Sequence, residues 1–180
     1  MLRTTLDKAY IKRTIRPLYA WSQATPVDCT LDSNWAKTVD IYPGMVAMRA
    51  NTASSGAAEV VTLVDATGIP FGLFGLYIAP TYGIDEVRDS GISSVPVWVL
   101  SSDAEFEIKA PAFDSAATWT FPIDGTDLLV HAYTGASSSA RGVLCPAGAA
   151  NATSKPIARA VAKPSTDTLI IRGLGSPGAY

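Results

Sequence analysis

Turn-forming residues interrupt the sequence so often from about Thr38 onward that only short strands fit between them. Tyr42-Pro43-Gly44 leads into a predicted strand at Met45 to Arg49. Glu59 to Val64 is β-branched and stops at Asp65-Ala66-Thr67-Gly68. Phe71 to Ile78 sets Gly72 and Gly75 among bulky residues, the pattern of a curved strand that another backbone approaches closely. Val95 to Leu100 is an apolar run around Trp98. Phe106 and Ile108 alternate with Glu105, Glu107 and Lys109, the period of a half-exposed strand. Trp119 to Ile123, Leu128 to Tyr133, Gly142 to Cys145, Pro156 to Ala162 and Thr168 to Arg172 bring the predicted strands to ten. A spacing of roughly 8–15 residues predicts an all-β fold, a small barrel or sandwich. The 14 Gly and 12 Pro work against long helices, so at most single helical turns are expected. These fall near Ile84 to Ser90, near Ala112 to Ala117, and in the N-terminal segment.

Charge divides the chain. Residues 1–16 carry Arg3, Lys8, Lys12, Arg13 and Arg16 against Asp7 alone, a balance of +4. The rest holds nine basic and fifteen acidic side chains, so the net charge of -2 conceals a basic N-terminal segment on an acidic body. Leu2, Leu6, Tyr10, Ile11 and Ile15 give a short helical period that Pro17 ends. From Leu18 to Lys37 the period is lost, and Tyr19, Trp21 and Trp35 are separated by turn residues, which predicts an extended aromatic segment. The predicted organisation is an N-terminal arm over 1–37, a β-rich body over 38–172 and a Gly-rich tail over 173–180.

Composition narrows the function classes. Apolar residues make up 48% of the chain, enough for a buried core, whereas charged residues reach only 17% against roughly 25% in ordinary soluble domains. That deficit predicts exterior surface lying against a partner. The acidic balance argues against nucleic acid as a partner. The longest apolar run, Ile69 to Pro80, is broken by Pro70, Gly72 and Gly75 and falls short of the ~18 residues of a membrane span. Met1 precedes a charged, polar segment without an apolar signal core, so no secretory leader and no membrane are expected. Cys29 and Cys145 are the two cysteines, and either two reduced thiols or one disulfide fits them.

Each chemical motif in the chain lacks a part that its chemistry needs. Gly173, Gly175 and Gly178 spell a dinucleotide fingerprint, but only two residues follow, too few for the helix that would hold a pyrophosphate. Asp89-Ser90-Gly91 has the letters of an aspartic protease, yet Glu86, Val87 and Arg88 precede it in what reads as a charged turn. His131, the single histidine, lies in an apolar run without a G-x-S-x-G elbow to pair with, and is expected to be a strand residue with a hydrogen-bonded partner. One histidine and two distant cysteines fall short of a zinc set. Asn151-Ala152-Thr153 reads as a surface loop, and Asp103, Glu105 and Glu107 as solvated edge charge more readily than calcium ligands. No catalytic residue, cofactor site or metal site is therefore assigned, and binding or structure is favoured over catalysis.

Four strings carry a family resemblance: Tyr42-Pro43-Gly44-Met45-Val46, Pro70-Phe71-Gly72-Leu73-Phe74, Val97-Trp98-Val99-Leu100 and Ala110-Pro111-Ala112-Phe113-Asp114. Over residues 40–115 this succession resembles the head decoration, or cement, proteins of tailed bacteriophages. The resemblance implies a non-enzymatic virion protein on the capsid exterior, assembled in the host cytoplasm. Its partners would be the major capsid protein and sister copies, as a dimer or trimer. It implies further that the N-terminal arm meets the lattice, with Tyr10, Tyr19 and Trp21 as aromatic anchors. Arg3, Lys8, Lys12, Arg13 and Arg16 would then face acidic lattice surface. Minor capsid and tail components remain open, as does a carbohydrate- or surface-binding β-module with Trp98 and Trp119 as its platform.

Overall fold

The computed structural model describes residues 14–19, 25–31, 40–49, 60–63, 70–78, 95–100, 103–121, 128–135 and 141–174. The described residues form eleven strands and no helix. In chain order these are β1 (Ile15–Tyr19), β2 (Thr25–Leu31), β3 (Val46–Arg49), β4 (Val60–Leu63), β5 (Pro70–Phe74) and β6 (Val95–Val99). They continue as β7 (Glu105–Lys109), β8 (Leu128–Ala132), β9 (Leu144–Pro146), β10 (Ala158–Ser165) and β11 (Thr168–Gly173). The all-β expectation holds, and the architecture combines a ring with an open sheet. Strands β2-β4-β3-β5-β6 close into a small barrel, and β1-β7-β11-β10-β8-β9 form a six-stranded sheet.

Closure of the barrel depends on a strand from the stretch expected to be merely extended. β2 runs antiparallel to β6, from Thr25 opposite Val99 to Cys29 opposite Val95, and parallel to β4 at Thr30 and Leu31. The hydrogen-bonded framework thus takes in β1 and β2, which precede residue 38. The close approach predicted at Gly72 is present between β5 and β6. A Cβ there would stand 2.5 Å from the Trp98 carbonyl oxygen and 2.7 Å from the Val97 side chain, so only glycine fits.

One core serves both sheets. Phe74, Met45, Leu63 and Leu73 from the barrel side are fully buried in the same cluster as Phe106, Ile108, Leu144 and Leu169 from the six-stranded sheet. The seam is hydrogen-bonded too, since the Val46 N–H donates to the Gly142 carbonyl at 2.8 Å. Gly142 has φ 80, and a Cβ there would meet the Leu63 side chain at 2.7 Å. Close packing across this seam makes the two sheets one body.

Two local expectations are overturned around one residue, Asp114. Asp114 Oδ1 accepts the N–H groups of Ala116 and Ala117, both at 3.0 Å, so 112–117 is an Asx-stabilised bend and no helical turn forms. Residues 119–121 form no strand either. Trp119 is buried, donates its indole N–H to the Asp114 carbonyl at 2.8 Å, and packs edge-on to Phe113 at 6.0 Å. At the N-terminal end, Ile15, the last member of the helical period, is in strand β1, while residues 1–13 and the turn at 84–90 lie outside the described residues.

Candidate functional site

Thr14 and β1 fix how the N-terminal segment joins the body. The buried Thr14 hydroxyl donates to the Pro43 carbonyl, and its own carbonyl accepts the Lys109 N–H at 2.8 Å. Ile15 then lies opposite Ile108 on the core side of the sheet, and Arg16 lies opposite Glu107 on the outer side. The Arg16 guanidinium donates to Glu107 at 2.7 Å. Pro17 has no N–H to offer a ladder, which an edge strand tolerates. Register shifts between Pro17 and Tyr19, leaving Leu18 as the extra residue of a bulge. Strict alternation would turn Tyr19 to the side of the sheet that Ile15 occupies. The bulge places it opposite Glu105 on the outer face, where it is 69% exposed beside an exposed Leu18.

Two of the residues expected to bind a partner, Arg16 and Tyr19, are therefore brought to one face of the six-stranded sheet. Arg3, Lys8, Tyr10, Lys12, Arg13 and Trp21 lie outside the described residues. On the same face, Glu105 accepts the Nε and Nη2 hydrogens of Arg172, at 3.0 and 2.5 Å, from the directly opposite position on β11. Glu105 and Glu107 are thus engaged in cross-strand ion pairs. Among the described residues no group of three or more His, Cys, Asp or Glu is placed to hold a metal ion.

A second polar cluster surrounds Asp114. The Tyr133 hydroxyl donates to Asp114 Oδ2 at 2.6 Å, so both carboxylate oxygens are occupied. They sit in an open depression of about 420 Å3 floored by small residues, among them Ala117, Ala147 and Gly148. Burial, and then the hydrogen bond to Asp114, raise the Tyr133 pKa well above its ordinary value. Burial, reinforced by the Asp114 charge, pushes the Cys145 thiol up to about 12. A thiol so held is protonated at neutral pH and a poor nucleophile. Cys145 and Cys29 are both buried and are not joined to each other, which answers the disulfide question in favour of two thiols.

His131 has the hydrogen-bonded strand position expected of it. Its Nδ1 lies 2.7 Å from the Thr153 carbonyl, which can only accept, so Nδ1 carries the proton. Thr153 is buried, accepts the Ala132 N–H at 3.3 Å and donates to the Lys155 carbonyl at 2.8 Å. The Asn151-Ala152-Thr153 loop is therefore tied to β8 through its last residue. Trp98 is half-buried with its ring 5.8 Å from that of Phe106, and Trp119 is buried, so these two do not form an exposed stacking platform.

Sequence reasoning passed over Leu18, Leu129 and Val161, which with Tyr19 are the large apolar side chains most exposed among the described residues. Alternation along Leu128 to Tyr133 could have set Leu129 apart from Val130, but no local signal marks the bulge at Leu18 or the one that leaves Val161 unpaired. Compared with known proteins, the chain matches a family model described as phage cement protein over residues 1–176. No curated protein and no solved structure matches it.

Proposed function

The chain belongs to the phage cement protein family and so has a structural role in a phage virion, and from that premise we propose that it binds and stabilises the capsid lattice without catalysing a reaction. The family match, which runs through the basic N-terminal residues as well as the β-body, is the observation that carries the reading. In this reading the protein sits on the capsid exterior, contacts the major capsid protein and associates with sister copies as a dimer or trimer. Arg3, Lys8, Lys12, Arg13 and Arg16 steer it toward acidic lattice surface, and Tyr10, Tyr19 and Trp21 supply aromatic contacts. The exposure of Arg16 and Tyr19 on β1 supports their part in it.

Heads lacking this protein provide the test. The full chain should co-sediment with them and raise their resistance to heat. A chain without residues 1–13, which keeps Thr14 and all of β1, should fold and bind at least tenfold more weakly. Equal binding by the shortened chain would reject the role of the N-terminal segment, and no binding by the full chain would reject the cement reading.

A further inference from the structure

The depression beside Asp114 is open because the chain around it is built from small residues. Residues 116–118 line one side and residues 146–150 the other, and Ala116, Ala147, Gly148 and Ala150 are exposed. A Cβ on Gly148 would meet nothing within 4 Å, so the main chain there borders open space. Into this hollow the chain sets the Asp114 carboxylate. Its Oδ1 accepts the N–H groups of Ala116 and Ala117 and its Oδ2 the Tyr133 hydroxyl, three bonds for a group that can accept about four. One lone pair of Oδ2 and those of the Tyr133 oxygen are left for a further donor. All three donors are neutral, and among the described residues no basic group forms an ion pair with Asp114.

The opposite charge stands further along the same connection. Residues 147–157 join β9 to β10, the strands on either side of β8; they line the depression first and then present Lys155. Main-chain bonds hold this connection in place: the Thr134 N–H donates to the Asn151 carbonyl and the Thr153 N–H to the Ala132 carbonyl, both at 2.8 Å. Lys155 is exposed, and among the described residues its ammonium makes no ion pair or hydrogen bond. This part of the surface therefore carries a carboxylate without a cation, in a hollow, and an ammonium without an anion, on a flexible stem. A surface that holds both halves of an ion pair is complementary to itself, the condition for a two-fold contact between identical chains. The lysine methylenes can lie along the alanines while the ammonium reaches Oδ2 and the Tyr133 oxygen. We infer that the depression takes the Lys155 side chain of a second copy, whose own depression takes Lys155 in return. The inference rests on the cement reading, which includes association with sister copies, and names the surface through which two of them meet.

Sedimentation equilibrium of the full chain and its variants tests this. An ion pair at a partly exposed site contributes about threefold and a two-fold contact contains two, so Asp114→Asn should weaken self-association about tenfold. That variant keeps an oxygen for the Ala116 and Ala117 N–H groups. Lys155→Glu, which sets like charges face to face, should weaken it at least as much. Copies of the two variants mixed together should associate about threefold more tightly than Asp114→Asn copies alone, because the mixed pair regains one intact contact. Ala147→Arg, which fills the depression from an exposed position and leaves the Asp114 bonds in place, should also weaken association about tenfold, so the test survives a folding defect in Asp114→Asn. Asp103→Asn, the same loss of charge at an exposed position before β7, should leave the dissociation constant unchanged. Dissociation constants within twofold of the unchanged chain for both Lys155→Glu and Ala147→Arg would overturn the contact, as would a mixture no tighter than either variant alone. Weakening confined to Ala147→Arg and Asp114→Asn would give the depression to a different cation and overturn it too. Binding of the unchanged chain to heads lacking it, measured alongside, separates the two readings. Failure to bind heads would reject the cement reading, whereas a chain that binds heads yet stays monomeric in solution would reject this contact alone.

Discussion

At position 72 the Trp98 carbonyl oxygen of β6 lies 2.5 Å from where a Cβ would stand, and the obstacle is main chain that cannot rotate away. Gly72→Ala should therefore cost about 3 kcal/mol or more. A denaturant titration would measure it, and a loss below 1 kcal/mol would show that β5 and β6 can part. This constraint was legible in the letters, because a glycine among bulky strand residues points to a close backbone approach. Asp114 lies at the other extreme. Its letter gives no sign that both oxygens would be taken by Ala116, Ala117 and Tyr133, because the last partner is nineteen residues away. The same cluster makes a prediction about pH. Cys145 titrates from an ordinary value of 9.0 in the unfolded chain and about 12 in the folded one, and Tyr133 is shifted in the same direction. Between these limits the unfolded chain has released the protons that the folded chain retains, so stability falls as pH rises through that window. Unfolding midpoints should drop from pH 8 to pH 11, and Cys145→Ala should flatten the drop. An unchanged slope in that variant would mean that Cys145 contributes nothing to the alkaline loss.

Among the elements, most strands were legible because turn residues bracket them, and β7 alternates as its letters require: Phe106 and Ile108 are buried, and Glu105, Glu107 and Lys109 point outward. β1 and β2 were not legible as strands. A strand at a sheet edge or closing a barrel is stabilised by its neighbours, and those neighbours lie far along the chain, at Ile108 for Ile15 and at Val97 for Val27. Local periodicity carries no trace of such pairing, and the apolar spacing ending at Ile15 pointed to a helix instead. β1 is consequently two-sided. Ile15→Ala should cost about 2 kcal/mol, since its side chain packs on the common core. Tyr19→Ser should change stability by no more than about 0.5 kcal/mol, as expected of an exposed position. Urea titrations of the two variants would check both figures. A large loss for Tyr19→Ser would mean that the tyrosine supports the fold, and would remove it from the outer face as a candidate contact.

For the molecule as a whole, the question is whether barrel and sheet behave as one body. Charge counting divided the chain in two, a basic segment and an acidic remainder, and strand spacing allowed a barrel or a sandwich; neither says how the strands group. The grouping is set by the core, in which Phe74 of β5 and Leu169 of β11 belong to one buried cluster although they lie in different sheets. A shared core couples their unfolding: neither sheet can open without exposing apolar surface of the other. The slowest-exchanging amides of β5 and β11 should therefore report the same unfolding free energy by hydrogen exchange. Phe74→Ala, which empties a fully buried site in the barrel, should cost about 3–5 kcal/mol and lower protection in β11 by the same amount as in β5. If β11 kept its protection, barrel and sheet would be separately stable. Equal loss of protection in both would show that the barrel and the six-stranded sheet unfold as one cooperative unit, held together by the core they share.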